Sequence, residues 1–370
     1  MNILRVSKKA ILNNLDYLQS LQPHAAIFPV LKSNAYGHWL KQMVRVLKWI
    51  NVPYLAIDSY PEYQIVKSNS RHRILLLWET LPENYRKFDT NRVTFCVYSE
   101  SVLEVLWRLK KPVMVHLFLN TGMNREGIDE DQLDNFLEIL KQYPTIQVEG
   151  VMSHLHSADQ TDFELTGEGF ASIQKQIDLF KKIYYKILDH GHAPIWRHLW
   201  NSAGMFKIKD DFFNAYRPGL ALYWYNPLDS QDSYYRLWKN LKPALSIVSR
   251  VVSIHTVWPW DGVSYNHKHT FSEREIVASV PFGYSEWLPR SASWLLKYRI
   301  WKKTYSQIWT ICMNLSSFLA DDKIKVWSEV EIISENSGNE NSLVNLSQAS
   351  GCIPYECLVR FDKWMRREIV

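Results

Sequence analysis

The sequence predicts an α/β chain in two parts: a (β/α)8 barrel over residues 1–228 and a mainly β C-terminal domain over residues 229–370, with the first few residues free to join the β domain. Three observations carry this expectation. Between Ser7 and Asn226 short apolar runs alternate with amphipathic helical stretches about eight times, the pattern of a parallel sheet, and at that number of repeats the closed TIM-like barrel is the natural architecture. From Leu241 onward the apolar runs are short, β-rich and separated by turn residues, with no long helix between them. The length of 370 residues, 46% of them hydrophobic, also suits two domains better than one compact body.

The elements follow in order. Ser7 caps a first helix that runs to about Leu21, with Ile11, Leu12, Leu15 and Leu18 at helical spacing. The run from Ile27 to Leu31 then reads as a buried strand that delivers Lys32 to its C-terminal end, because the apolar character stops at Ser33-Asn34. Next come a helix over Leu40 to Leu47, a strand at Tyr54 to Ile57, a helix from near Pro61 and a strand at Ile74 to Leu77. Strands near Thr94 to Val97, Val113 to Leu119 and Val148 to Met152 are separated by helices near Ser101 to Leu109 and Glu130 to Leu140. A long helix from about Phe170 to Leu188 precedes a short strand at Arg197 to Leu199. In the second part, strands are expected over Ala244 to His255, Glu275 to Val280, Ile308 to Met313 and Val326 to Ile333. Ser334 to Ser342 reads as a loop.

Composition narrows the function. The net charge of +5 is spread along the chain without a Lys/Arg block, which argues against nucleic-acid binding. There is no charged leader followed by an apolar stretch, and no run reaches the ~18 apolar residues that span a bilayer, so a cytosolic (cytoplasmic) protein with no membrane association is expected. Cys96, Cys312, Cys352 and Cys357 have neither CxxC spacing nor scaffold density and read as reduced thiols; no metal site is expected.

In such a barrel the active residues lie at the C-terminal ends of the strands, and the polar residues interrupting the apolar pattern fall there. Lys32 and Tyr36 follow one strand and Asn120 to Arg125 another. His154 ends a third, His198 with Asn201 and Ser202 a fourth, and Arg217-Pro218-Gly219-Leu220 closes the barrel. A lone lysine there reads most simply as a solvated strand end, a lone histidine as a satisfied structural group, and Arg-Pro-Gly as a turn. Their common location is what points to a site. A lysine in a partly apolar pocket has a depressed pKa, which suits Schiff-base chemistry with an aldehyde.

The run Lys32-Ser33-Asn34-Ala35-Tyr36-Gly37-His38 resembles the pyridoxal-phosphate lysine motif of the alanine racemase family, and the resemblance extends from Ile11 to about Arg360. It implies that Lys32 is the cofactor lysine. By the same resemblance Arg125, in Thr121-Gly122-Met123-Asn124-Arg125, lies near the cofactor's phenolic oxygen and the substrate, and His154 and His198 are pocket histidines. Tyr36, Ser202, Gly219, Leu220 and Tyr355 form a phosphate cradle, with Asn201 beside it. Arg217 faces the pyridine nitrogen and, being unable to give up its proton, keeps that nitrogen unprotonated and the ring a weaker electron sink.

In the second domain Gly262-Val263-Ser264-Tyr265 resembles the family's other catalytic motif. Racemisation takes a proton from one face and returns one to the other, so two bases are implied, Lys32 and Tyr265. A tyrosine with a pKa near ~10 needs assistance, which the resemblance assigns to a hydrogen bond to His154 and through it to Arg217. In the family this tyrosine comes from a second subunit, which implies a homodimer with shared active sites. Met313, in Ile311-Cys312-Met313-Asn314, matches the segment that meets the substrate carboxylate.

The implied function is a pyridoxal 5′-phosphate-dependent racemase of a small-molecule amino acid, interconverting L- and D-alanine for cell-wall D-alanine (peptidoglycan) supply. A broad-specificity racemase, a barrel-type decarboxylase and a single-domain protein that holds the cofactor without turnover are the alternatives. Two departures stand out. Phe118 stands where many members carry a lysine that can be carbamylated, which leaves Arg125 to depend on Asn120 or an anion. Asn314 replaces a frequent aspartate, which leaves the accepted side chain open.

The last anomaly is compositional. Glycine numbers 13, about half of what a usage near 7% would give, while tryptophan reaches 16. Trp39, Trp224, Trp287, Trp309 and Trp327 stand where the family usually has glycine. An indole at a tight turn clashes, so strained rotamers, positive φ or displacement into solvent are expected there. Two explanations remain: UGA codons that mean glycine but were translated as tryptophan, or a lineage that fills these sites with aromatics.

Overall fold

The computed structural model describes residues 1–160, 167–226, 228, 232–265 and 270–370, with the backbone alone at 167–170. The first strand, β1 (Ile3–Val6), leads into the helix Lys8–Leu21, which Ser7 caps through its hydroxyl, 3.2 Å from the Ala10 N–H. Eight short strands follow: β2 (Ala26–Ile27), β3 (Leu55–Ile57), β4 (Ile74–Leu76), β5 (Val93–Val97), β6 (Val113–Phe118), β7 (Ile146–Met152), β8 (Trp196–His198) and β9 (Ala215–Tyr216). From β3 to β8 each pairs in parallel with the next, and β2 pairs in parallel with β9. The ring closes at two seams. Val30 bridges Ala56 on one side; on the other, Asn214 N–H and Arg217 N–H donate to the Arg197 and Trp200 carbonyls, both at 3.1 Å. This is the closed barrel that the alternation predicts, and its interior is filled by Phe28, Leu75, Cys96, Phe118 and Met152.

The strand leading to Lys32 stays paired as far as Leu31, whose N–H donates to the Ala56 carbonyl at 2.8 Å. The chain then turns left-handed: Ser33, Asn34, Ala35 and Tyr36 have φ of 54°, 56°, 56° and 51° before Gly37 at 78°. For L-residues this conformation costs about 1–2 kcal/mol each, so it needs holding. Asn34 holds it twice, its N–H donating to Glu62 Oε1 at 3.0 Å and its carboxamide oxygen accepting from Leu40 N–H at 2.9 Å.

The barrel unit comprises Asn13–Leu241; a second compact unit joins Met1–Leu12 to Lys242–Val370. The sequence puts the division after residue 228. The compact division falls later because the segment Ser233–Asn240 is fastened to the barrel unit: Trp238 packs on Phe206 with ring centroids 4.3 Å apart, and the buried Lys207 ammonium pairs with Asp232. The second unit is a sheet of nine strands. With β10 (Leu245–Arg250), β11 (Ser253–Val257), β12 (Glu275–Val280), β13 (Lys297–Ile300), β14 (Lys303–Ile308), β15 (Ser316–Ala320), β16 (Glu329–Ile333) and β17 (Arg366–Ile369), its order is β11-β12-β15-β14-β13-β16-β10-β1-β17. The expected strand Ile308 to Met313 is a loop beyond its first residue. β14 stops at Ile308 because Trp309 turns to φ 72° and the Gln307 carboxamide takes the carbonyls of Ile308 and Trp309. Among the described residues all four cysteines are free, no helix is long and apolar enough to cross a membrane, and no cluster of metal-ligand side chains is present.

All five tryptophans singled out in the sequence have positive φ: Trp39 at 72°, Trp224 at 90°, Trp287 at 71°, Trp309 at 72° and Trp327 at 75°. Trp260, Trp294 and Trp301 join them at 76°, 74° and 54°. At about 1–2 kcal/mol each, eight such residues cost an amount comparable with the ~5–15 kcal/mol that stabilises a whole domain.

Candidate active site

The C-terminal ends of the barrel strands gather the expected side chains of this unit. Lys32 follows the strand that starts at β2. Its amine is pushed below the usual lysine range, first by burial and then by Arg125, with the Asp58 carboxylate opposing. The Trp78 indole, just beyond β4, lies 4.7 Å from the Lys32 Nζ and 5.4 Å from the Arg125 guanidinium. The sequence reading passed over this indole, although the first aromatic after a buried strand was there to be noticed.

Arg125 follows β6 and is oriented by its neighbour. Its guanidinium forks onto Glu126, with Nε on one carboxylate oxygen and Nη2 on the other at 2.6 Å. Of the two supports expected, Asn120 or an anion, Arg125 meets an anion, the Glu126 carboxylate. Asn120 is engaged elsewhere, its carboxamide donating to Asp129 at 2.7 Å and accepting from the Gly122 and Asn124 N–H groups. Phe118 is buried in the barrel core.

Arg217, at the end of β9, is buried and has no carboxylate partner among the described residues. It donates to His198 Nδ1, to the His198 carbonyl at 2.8 Å and to the Ser153 carbonyl. Burial lowers it to about 10. These three bonds stand where the resemblance puts a bond to His154. The His154 imidazole is held down at about 3, first by burial and then by the charges of Arg217, Arg125 and Lys32. His198 is likewise pushed well below the ordinary histidine range by burial.

A turn at Gly219 stands where the resemblance puts the cradle. Ser202 Oγ accepts from the N–H groups of Gly219 at 3.1 Å and Ala221 at 3.2 Å, while Asn201 caps the short helix Ser202–Lys207 by accepting from Gly204 N–H at 3.0 Å. A Cβ at 219 would collide with the Tyr36 hydroxyl, so any larger residue there would have to displace that ring. Leu220 opens the 3-10 turn Leu220–Tyr223 behind it. Hydroxyls and backbone N–H groups converging on a turn with no side chain suit a phosphate. A buried amine of lowered pKa suits an aldehyde. On both observations the residues fit pyridoxal phosphate.

The β unit carries the remaining expected residues. Gly262 to Tyr265 lies beside the Ile311 to Asn314 loop, with Ser264 Oγ 3.4 Å from Cys312 Sγ. That loop is pinned by Tyr284 and Ser285 N–H groups donating to the Cys312 and Met313 carbonyls, an approach so close that a Cβ on Gly283 would strike both. The Tyr265 and Met313 side chains are 73% and 56% exposed. Tyr355 lies in the first turn of the helix Pro354–Arg360.

Residues 6–227 match the family profile described as alanine racemase, N-terminal domain, and residues 244–369 the one described as alanine racemase, C-terminal domain. A Geobacter sulfurreducens protein named alanine racemase is 28% identical over 99% of this chain and 96% of its own. One from Francisella tularensis is 27% identical, with 100% of each chain covered. The solved alanine racemase of Clostridium difficile superposes with a TM-score of 0.90 at 26% identity, over 100% of this chain and 95% of that one. The enzyme from D-cycloserine-producing Streptomyces lavendulae, at 23% identity, shares the fold with a TM-score of 0.89 over 100% and 97% of the two chains.

Proposed function

The chain belongs to the alanine racemase family, and on that premise we propose that it interconverts L- and D-alanine with pyridoxal 5′-phosphate, using Lys32 and Tyr265 as its two bases. The observation that carries this reading is the Lys32 amine: partly buried at the mouth of a barrel strand and lowered in pKa, it gives up its proton more readily than a surface lysine, as a base and nucleophile must. When bound, the cofactor supplies an aldehyde for amine exchange and a ring that draws electron density from the substrate Cα. Ser202, Tyr36 and the Gly219 turn bind its phosphate, with Tyr355 contributing a further hydroxyl. Arg217, a donor only, meets the ring nitrogen without protonating it. Arg125, oriented by Glu126, and Met313 receive the substrate carboxylate.

Lys32 handles the proton on one face and Tyr265 on the other. The exposure of Tyr265 and Met313 on the β unit supports a homodimer in which each lends these residues to the other copy's barrel. A cytosolic setting and a supply of D-alanine for the cell wall complete the reading. The match of residues 244–369 to the C-terminal domain favours it over a single-domain cofactor-holding protein. An absorbance spectrum of the purified protein followed by a chiral assay with L-alanine tests it: bound cofactor and D-alanine are expected. Tyr265→Phe should keep the cofactor and lose proton exchange on one face alone. A variant that racemises at the parent rate would make the tyrosine structural.

A further inference from the structure

Behind Arg217 lies a histidine that the reaction above does not use. His116 projects from β6, is wholly buried, and lies against Gly150 of β7, where a Cβ would come within 2.6 Å of its Nε2. Its Nδ1 is 2.7 Å from His198 Nε2, and His198 Nδ1 in turn meets Arg217 Nη1. The direction of this chain follows from chemistry. A guanidinium only donates, so His198 Nδ1 is bare and its proton sits on Nε2. That N–H points at His116 Nδ1, which must accept, and the His116 proton is left on Nε2, where it meets no partner among the described residues. Burial favours neutral rings here, holding His116 down at about 3; Glu149 opposes this while Arg217 and Arg73 reinforce it.

We propose that His116 is a positioning residue: it accepts the His198 Nε2–H, fixes that tautomer, and so keeps His198 Nδ1 available to hold the Arg217 guanidinium in place. The tautomer needs no cofactor; only its catalytic consequence rests on the reading that Arg217 faces the ring nitrogen. Nitrogen-15 spectra of selectively labelled full-length protein, with and without pyridoxal phosphate, should show both His116 and His198 as neutral Nε2–H rings. His116→Phe should leave His198 divided between tautomers and lower kcat about tenfold or more with little change in KM. His116→Asn, whose Oδ1 stands near the lost Nδ1, should restore both. A His198 protonated on Nδ1 in the parent, or a pure Nε2–H tautomer surviving in His116→Phe, overturns the proposal. If His116→Phe does not fold, the parent spectrum and His116→Asn decide. A parent that turns over no alanine but shows both rings as Nε2–H would remove the proposed function and leave this assignment standing.

A second inference rests chiefly on the backbone. Trp224 and Trp287 end short helices in the left-handed conformation that Gly37 and Gly351 adopt at the ends of theirs. Trp301 is the first of the two residues joining β13 to β14, and it alone of the two has positive φ, the glycine position of a type II′ hairpin. Trp309 buries an indole N–H with no partner among the described residues. We infer that the eight tryptophans at positive φ, including Trp260, Trp294 and Trp301, which the sequence reading did not name, are encoded by UGA codons that the source cell translates as glycine. The gene should carry UGA at all eight positions, and mass spectrometry of the natural protein should find glycine there. The chain carrying all eight Trp→Gly changes should unfold at higher denaturant than the sequence as written. UGG at these codons, or tryptophan in the natural peptides, overturns the inference.

Discussion

Lys32 shows how far one residue's chemistry follows from its surroundings. Burial disfavours the ammonium form more strongly than Asp58 restores it, so the amine should react at a pH where surface lysines do not. Borohydride reduction of the holoenzyme and peptide mapping should place the cofactor on Lys32; a label on another lysine would refute the assignment. Asn34 is the test of the turn that follows. Asn34→Ala removes the acceptor for Leu40 N–H and the residue type best suited to φ of 56°. It should cost about 1 kcal/mol of stability in urea denaturation. Lys32, Arg217 and Gly219 were legible because each interrupts an apolar run at a strand end. His116 was not, since its meaning lies in His198, 82 residues away, and no spacing in the sequence links the two.

At the level of strands, a polar cluster distinct from the site ties the barrel together towards the N-terminal ends of its strands. Arg73, just before β4, donates to both oxygens of Glu149 on β7 at 2.6 and 2.7 Å, and to the Thr94 hydroxyl of β5 at 3.0 Å; the Tyr54 hydroxyl, just before β3, donates to the same carboxylate at 2.5 Å. Four strand regions thus share one carboxylate. Glu149→Gln should cost about 2 kcal/mol, the worth of a hydrogen bond to a charged group, in a denaturant titration, while leaving racemisation near the parent rate, because this end of a barrel serves stability. Periodicity located the longer barrel strands to within a residue or two, but in the β unit it passed over β13, β14 and β15 and read β10 and β11 as one strand. It could not see β9, which is only two residues long, nor the left-handed turn after Lys32, whose residues have no sequence signature beyond Asn34 and Gly37. The Ile308 to Met313 run misled because its β-branched composition masked a backbone reversal at Trp309.

For the whole molecule, acid is the condition to watch. His116, His154 and His198 are all lowered by burial, the first two to about 3, against an ordinary value near ~6.5. Unfolding frees them to bind protons, so their contribution to stability is complete above about pH 6.5 and is lost as pH falls from there towards about 3. Urea midpoints measured across that range should fall with acidification, and His116→Asn should flatten the slope; an unchanged slope would mean that His116 is protonated in the fold. The sheet of the β unit has a consequence in time. β1 lies between β10 and β17, antiparallel to one and parallel to the other. It leaves the ribosome before the barrel, yet no partner exists until the entire barrel has been made, roughly ten to fifty seconds later at ordinary translation rates. During that wait its two bare edges are open to wrong pairings. Its length of only four residues, with Arg5 among them, keeps that exposure small.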